Sequence, residues 1–443
     1  MSERICDVAV IGGGPAGATA AALLAERGWA VTVFEKDRHP RFHIGESLLP
    51  HNNPLFERLG VLDEVRAIGL VKNGAQFSSM YHGREETFYF RQALDKSQPS
   101  GFEVHRADLD HILLRNAARK GAAVFEETRV EQVHFEPDGV RVHARRLETS
   151  GHETSGHEAS GPAGAAEWRA RFLVDASGRD TFLADLFRIK ARNPRHASVA
   201  LYGHYENAHR YAGEDEGNIS IYWFDHGWIW FIPLARGITS VGAVCWPYYL
   251  KTRTGSLEQF FADTVALCPA LAARLAGARR IAPVTATGNY SYQAARCAGA
   301  NHIMVGDAYA FVDPVFSSGV YLAMSGAFAG AEAVDAALRD PAAAPRALAR
   351  YERHVRRGIR TFSWFIYRIT TPVMRDLLMG PKNVLGLVDG LISFLAGDIF
   401  RANGVRTRIR AFQAIYYLFS AASPRRSLAA MRRRRENIRP VAP

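Results

Sequence analysis

The sequence predicts an α/β protein whose first unit is a Rossmann-like nucleotide-binding fold. Three observations carry this: a glycine fingerprint directly after an apolar run at the N-terminus, a second glycine-bounded segment from Gly306 to Gly319, and a block of aromatic, alternating residues between them. Cys6–Ile11 is a short β-branched run bounded by polar residues, the pattern of a buried parallel strand. Gly12, Gly14 and Gly17 follow at GxGxxG spacing, and Ala16 opens an Ala/Leu-rich helix that runs to Glu26. Glycine there permits a tight turn, close approach of backbone to a pyrophosphate and close packing of helix on strand, while the helix N-terminus favours phosphate charge. A second strand, Ala30–Glu35, ends in an acid 18 residues after Gly17. That is near the roughly 20-residue spacing of a carboxylate that accepts hydrogen bonds from a ribose. GxGxxG alone is a weak signal; strand, turn, helix, strand and acid in that order make a strong one.

Further along, Val104–Gly121 has apolar positions at helical spacing, followed by a strand-like Ala122–Phe125. Ser150–Ala165 is rich in Gly and Ser and repeats SGHE once, so it reads as a surface excursion, with His152 and His157 as loop residues rather than metal ligands. Phe172–Gly178 reads as a strand ending in a tight turn beside the nucleotide, and Val199–Trp246 as a large mixed sheet where a substrate platform would sit. Gly306–Gly319 (GDAYAFVDPVFSSG) brings a second stretch of backbone to the cofactor and leads into a helix from Gly319 to Ala337. Phe362–Ser420 alternates apolar runs with basic residues and reads as helices on the substrate face. Asp389 and Asp398 break its longest apolar run, which excludes a transmembrane helix and leaves interfacial membrane contact as an alternative.

At 443 residues and 48% hydrophobic content the chain can bury a sizeable core and holds more than one domain. Cys6, Cys245, Cys268 and Cys297 are widely spaced with no CxxC pair, so neither a disulfide framework nor a metal site is expected. The N-terminus enters the first strand at once, without a signal peptide ahead of it, which predicts a cytoplasmic protein. From Arg401 to Pro443 there are eleven arginines and one acid, Glu436, so this end holds +10 of the net +11. Such an end suits an acidic partner protein, a phospholipid surface or a solvated terminus; nucleic acid ranks low because no binding module accompanies it.

The GGGPAG at the N-terminus, RFHIGESLLP from Arg41 to Pro50, VHRADLD around Arg106, DASG from Asp175 to Gly178, and Gly306–Asp307 together resemble the class A flavin monooxygenase superfamily over residues 5–355. The resemblance implies an FAD-binding Rossmann-like domain of the p-hydroxybenzoate hydroxylase type, a mixed-sheet substrate domain and a helical C-terminal region. The expected limits are 1–190 with 285–355 for the FAD domain (41–110 lying partly near flavin and substrate), 191–284 for the substrate sheet and 356–443 for the helices. It also implies cofactor contacts from Gly12, Gly14, Ala16, Gly17, Glu35, Lys36, Arg41, Gly45, Glu46, Ser47, Arg106, Asp307, Pro314, Ser318, Gly319 and Val320.

Within that superfamily, Trp228–Pro233 fits the WxWxIP pattern of the flavin-dependent halogenases, Phe311–Gly319 fits their FxxPxxSxG, and Lys72 stands where they carry a lysine. On pattern alone each has a plainer reading: Trp228, Trp230 and Ile232 share one face as any core strand would, Pro314 and Ser317–Gly319 make a turn into a helix, and Lys72 is a loop lysine. Their joint occurrence in family order favours the halogenase. In that reading Trp228, Trp230, Ile232, Pro233, Phe311 and Phe316 separate the organic substrate from the flavin, and Ser318 and Gly319 meet a halide. Lys72 directs hypohalous acid, either by hydrogen bonding or as a haloamine. The implied participants are FAD in its reduced form delivered by a separate flavin reductase, chloride or bromide, and an aromatic substrate. Phe316–Ser317 replaces the Glu–Ser of tryptophan halogenases, so the resemblance points to phenols and pyrroles, free or bound to an acyl carrier protein that the basic end would dock. A hydroxylase of the same fold, consuming NAD(P)H, and a non-catalytic FAD-binding scaffold are the competing expectations.

Overall fold

Val8, Ala9 and Val10 have no exposed surface because Arg4–Ile11 runs through the middle of a parallel sheet. The computed structural model describes residues 4–147, 165–194, 196–288, 291–401 and 404–438, so most of the Ser150–Ala165 excursion, with His152 and His157, lies outside the described residues. The sheet order is 298–299, 302–304, 165–175, 4–11, 31–34, 123–125, with every pair parallel except the first. The first half of Ala165–Asp175 also pairs antiparallel with Gly139–Arg146, which extends the sheet through Thr128–Glu136. Pro15–Glu26 packs on this sheet with ten of its twelve residues buried; Pro at its first position fits a helix start, where no backbone donor is lost. Gly17 is what lets it approach: a Cβ there would lie 1.9 Å from the Gly12 carbonyl oxygen. The long helix Gly319–Arg339 flanks the same helix and closes the core.

The second sheet runs 279–280, 199–206, 238–245, 227–233, 219–224, 74–79, 84–89, and 285–287 adds to its 199–206 strand. It is antiparallel except where Ile219–Phe224 meets Gly74–Ser79. Alternation along Gly227–Pro233 divides its side chains between two cores. Trp228, Trp230 and Ile232 join one with the C-terminal helices, and Ile229 and Phe231 join the other beneath Leu257–Ala266 and Pro269–Leu275. The first of these cores is aromatic. Phe365 stacks on Phe394 at 4.0 Å and Phe362 tilts against Phe394 at 4.9 Å, each ring contributing roughly 1.5–3 kcal/mol by burial. This layer comes from the helices Ala344–Ile366, Pro372–Met379, Leu387–Leu395 and Val405–Ala422, which cover the tryptophan face.

The basic end is not frayed over its described part: Pro424–Ile438 is helical, Arg426 pairs with Asp376 at 3.1 Å, and Arg434 donates to the Tyr367 carbonyl at 2.7 Å. Among the described residues no helix is long and apolar enough to cross a membrane.

Candidate active site

Between the two sheets lies a cavity of about 710 Å³. This is within the range of cofactor sites. Its floor is the fingerprint. Gly12, Gly14 and Ala16 line it, and Gly12 sits at φ +98°, where a Cβ would lie only 2.4 Å from the Ala176 carbonyl oxygen, so a side chain has no room. Glu35 ends its strand at the wall; its carboxylate accepts from the Gly13 amide at 2.6 Å and the Asp37 amide at 2.9 Å. Burial raises its pKa against the pull of those amides and of Arg41.

Basic residues ring the middle of the cavity. Arg41, Arg106, Arg179 and Lys36 all line it, and Lys36 also pairs with Asp180. Asp110, wholly buried, orients two of them: Arg106 donates to it through Nε and Nη2 at 2.8 and 3.0 Å, and Arg41 through Nη1 at 3.0 Å. Desolvation pushes the Asp110 carboxyl up, and the two guanidiniums outweigh it, holding its pKa below the usual value. Arg106 Nη1 also donates to the Ile44 carbonyl at 2.8 Å, which fixes the loop carrying Gly45, Glu46 and Ser47 against the cavity. Gly45 adopts φ +105°, and a Cβ there would meet Arg106 Nη1 at 2.9 Å. Asp307 enters from the opposite side. Burial raises its carboxyl to about 6, with Arg106 and Arg179 pulling the other way.

The segment after Asp307 is held by a buried acid. Asp313 accepts from Ser198 Oγ at 3.0 Å, meets His196 Nε2 at 3.1 Å and caps the turn at Pro314–Phe316 through the Val315 amide. Ser317 then takes φ +53°, unusual for a residue with a side chain, and the chain enters the helix at Gly319. Phe311, Pro314, Ser317, Gly319 and Val320 face the cavity, and Trp228, Trp230 and Ile232 close it from the second sheet. Trp230 is fixed by donating Nε1–H to Ser240 Oγ at 3.1 Å.

Five expected residues stand off the lining. Gly17 spends its lack of a side chain on helix–strand contact. Pro233 falls on the strand face opposite Ile232, by the alternation of the strand. Phe316 turns into the helical core, edge-on to Phe394 at 5.4 Å and Phe365 at 6.2 Å, from the turn Pro314–Phe316. Ser318, just ahead of the helix, is buried, and its Oγ finds no hydrogen-bond partner among the described residues. Lys72 lies one layer behind. It is 1% exposed, not a loop lysine at the surface, and donates to Ser47 Oγ at 2.7 Å and the Leu48 carbonyl at 3.2 Å. The Phe90 ring lies 5.6 Å from its Nζ.

Several neighbours were not legible as site residues. Glu103 is wholly buried 3.9 Å from Lys72, on a strand paired with the lysine's own. His204 meets Glu46 Oε1 at 2.7 Å, and desolvation of the imidazole is outweighed by that carboxylate, so its pKa rises. Arg179 carried no spacing signal, and Asp110, within VHRADLD, was not singled out there. Among the described residues, His51, Asp95 and Asp398 bring ligand-type atoms within 4.8 Å of one another, with the Arg401 guanidinium paired to Asp95.

A fingerprint floor with no room for a side chain at Gly12, an acid at the strand end and a ring of guanidiniums fit a dinucleotide with a pyrophosphate. Residues 5–361 match the FAD binding domain family. The chain is 29% identical over 428 residues to the 1H-pyrrole-2-carbonyl-[peptidyl-carrier protein] chlorinase of Pseudomonas fluorescens, covering 90% of this chain and 91% of that one. It is 31% identical to the flavin-dependent halogenase rdc2 of Metacordyceps chlamydosporia, covering 87% and 75%. The myxobacterial chondrochloren halogenase CndH superposes with a TM-score of 0.75 at 31% identity, covering 93% of this chain and 97% of that one. With an FAD-type cavity and these likenesses along nearly its whole length, the chain belongs to the flavin-dependent halogenases and is an FAD-dependent enzyme.

Proposed function

We propose that this enzyme halogenates an electron-rich phenol or pyrrole ring presented as an acyl-carrier-protein thioester, with Lys72 directing hypohalous acid to the ring. FAD, bound in its reduced form, supplies the oxidation of halide by dioxygen to hypohalous acid. Gly12, Gly14, Glu35, Arg41 and Arg106 would hold the dinucleotide, and the helix start at Ser318 and Gly319, of which Gly319 lines the cavity, would meet the halide. Trp228, Trp230 and Ile232, which line the cavity from the second sheet, would keep the organic ring away from the flavin. The observation that carries the reading is Lys72: a buried ammonium tied to Ser47, a residue that itself lines the cavity. A buried lysine without full solvation costs stability, and a role in handling an electrophilic oxidant accounts for its presence. Likeness to a chlorinase of a carrier-bound pyrrole supports the thioester. The reduced flavin comes from a separate reductase.

The test supplies reduced FAD, oxygen and bromide to the full chain with a panel of phenols and pyrroles, free and carrier-bound, with Lys72→Ala in parallel. Mass spectrometry should show bromine's isotope doublet on the carrier-bound product from wild type and none from the variant. Hydroxylated product without the doublet, or NAD(P)H consumption by the isolated protein, would replace this reading with a hydroxylase. Turnover of the free rings alone would remove the carrier.

A further inference from the structure

Lys72 and Glu103 come from the two strands Leu70–Lys72 and Gly101–Glu103, which pair with each other and with no larger sheet among the described residues. Ser47 stands between them: its Oγ accepts from Lys72 Nζ at 2.7 Å and donates to Glu103 Oε1 at 3.0 Å, while Lys72 and Glu103 themselves are 3.9 Å apart. The hydroxyl therefore completes a continuous donor–acceptor path from ammonium to carboxylate. Glu103 Oε2 has no hydrogen-bond partner among the described residues, so the carboxyl has an oxygen open to hold a proton. The neighbouring charges are engaged elsewhere. Glu46, on the adjoining loop, is tied to His204, and Arg106, three residues on from Glu103, turns to Asp110 and the Ile44 carbonyl. Burial drives both members of the pair toward their neutral forms. It lowers the Lys72 pKa against the pull of Glu103, and raises Glu103 to about 8 against Lys72 and Ser47, with Glu46 adding to the rise.

We propose that Glu103 is a positioning residue for Lys72: through the Ser47 hydroxyl it takes the ammonium proton and leaves a neutral amine that accepts halogen from hypohalous acid. This rests on Lys72 handling hypohalous acid as proposed above, and it selects the haloamine over simple hydrogen bonding. Lys72 passes a proton to Ser47 Oγ as Ser47 passes its own to Glu103. The amine lone pair then attacks the halogen; the N–X bond forms, the O–X bond breaks, and the departing hydroxide takes one N–H proton to leave as water. When the aromatic carbon attacks, the C–X bond forms and the N–X electron pair returns to nitrogen. Glu103 gives its proton back along the same path, and the ring loses its own proton to restore the ammonium.

The test uses Glu103→Gln, which keeps an acceptor for Ser47 but cannot take a proton, with Glu103→Asp and Lys72→Met beside it. Each protein is given reduced FAD, oxygen and bromide without an aromatic substrate, desalted, and titrated with a thiol for protein-bound oxidising equivalents. Wild type should retain such equivalents and release them as halogenated product on later addition of substrate. Glu103→Gln should retain at least about tenfold less, the scale of a missing general base, with Glu103→Asp recovering part. The wild-type yield should also rise with pH as the pair passes from two protons to one, and Glu103→Gln should lose that limb. Without any cofactor, infrared spectra should show a neutral buried carboxylic acid that Glu103→Gln removes. Wild-type retention by Glu103→Gln with an unchanged pH profile, or no carboxylic acid band removed by it, would overturn the role of Glu103 alone. Wild-type retention and product from Lys72→Met would overturn the lysine reading beneath it.

Discussion

Gly242 offers a direct test of whether Trp230 is the wall of the cavity. It sits opposite Trp230 on the neighbouring strand, and a Cβ there would lie 2.2, 2.4 and 2.6 Å from Cζ2, Cη2 and Cε2 of the indole. Carbon atoms pack at about 3.5–4.0 Å, so in Gly242→Ala the ring must retreat by roughly 1.5 Å. The retreat either tips the ring toward the cavity or parts two strands in the middle of a sheet. Overpacking of this kind costs about 1–3 kcal/mol, and loss of the indole hydrogen bond to Ser240 about 1 kcal/mol more. The sum lowers Tm by about 2–4 °C for a chain of this length. The functional assay is the ratio of free hypohalous acid, caught by a soluble scavenger, to halogenated product: a displaced wall should raise it. An unchanged ratio together with a Tm within about 1 °C of wild type would refute both the packing and the barrier role.

Three further substitutions test the residues that shape the cofactor cavity. Asp110→Asn leaves Arg41 and Arg106 without their shared buried carboxylate and should cost about 3–5 kcal/mol, read as loss of bound flavin and a lowered Tm. Because the Asp110 pKa lies below the ordinary value, its contribution is present throughout neutral pH and is lost only as pH falls through that lowered value. Flavin retention by wild type should therefore survive to below about pH 4, and the variant should lose that acid limb. Gly17→Ala puts a methyl 1.9 Å from the Gly12 carbonyl and should abolish flavin binding with a large stability loss. Gly14→Ala, whose nearest neighbour is Arg41 Nη2 at 3.6 Å, should leave stability within about 0.5 kcal/mol of wild type in a thermal melt.

The features legible in the sequence are those with local causes. Strand, glycine turn, helix and Glu35 lie close together in the chain and specify one another by its geometry, and the buried Arg4–Ile11 strand and the helix Pro15–Glu26 follow that reading. Alternation puts Trp228, Trp230 and Ile232 on one face, and they line the cavity as a core strand also would. Direction at a turn was not legible: Phe316 points from the Pro314–Phe316 turn toward the helical core, and no residue pattern signals it. Nor was the environment of Lys72. Its partner Glu103 is 31 residues away in sequence and reaches it only through an antiparallel pairing of two three-residue strands, too short to leave a period-2 signature. Asp110 was hidden for a different reason. It sits four residues after Arg106 on a helix, where such pairs are usually solvated, and only its complete burial shows that it organises two guanidiniums.

Ser47 also bridges to Glu103 through backbone pairing, so the cavity loop, the lysine strand and the acid strand are joined at a single residue. A short ribbon that joins no larger sheet among the described residues has only its own pairing, Ser47 and the burial of Phe102, Lys72 and Glu103 to resist local opening. Anything that immobilises the loop at Ser47 from the cavity side must then slow that opening too. Loading the cofactor should thus be visible as slower amide exchange at residues 70–72 and 101–103, none of which lines the cavity.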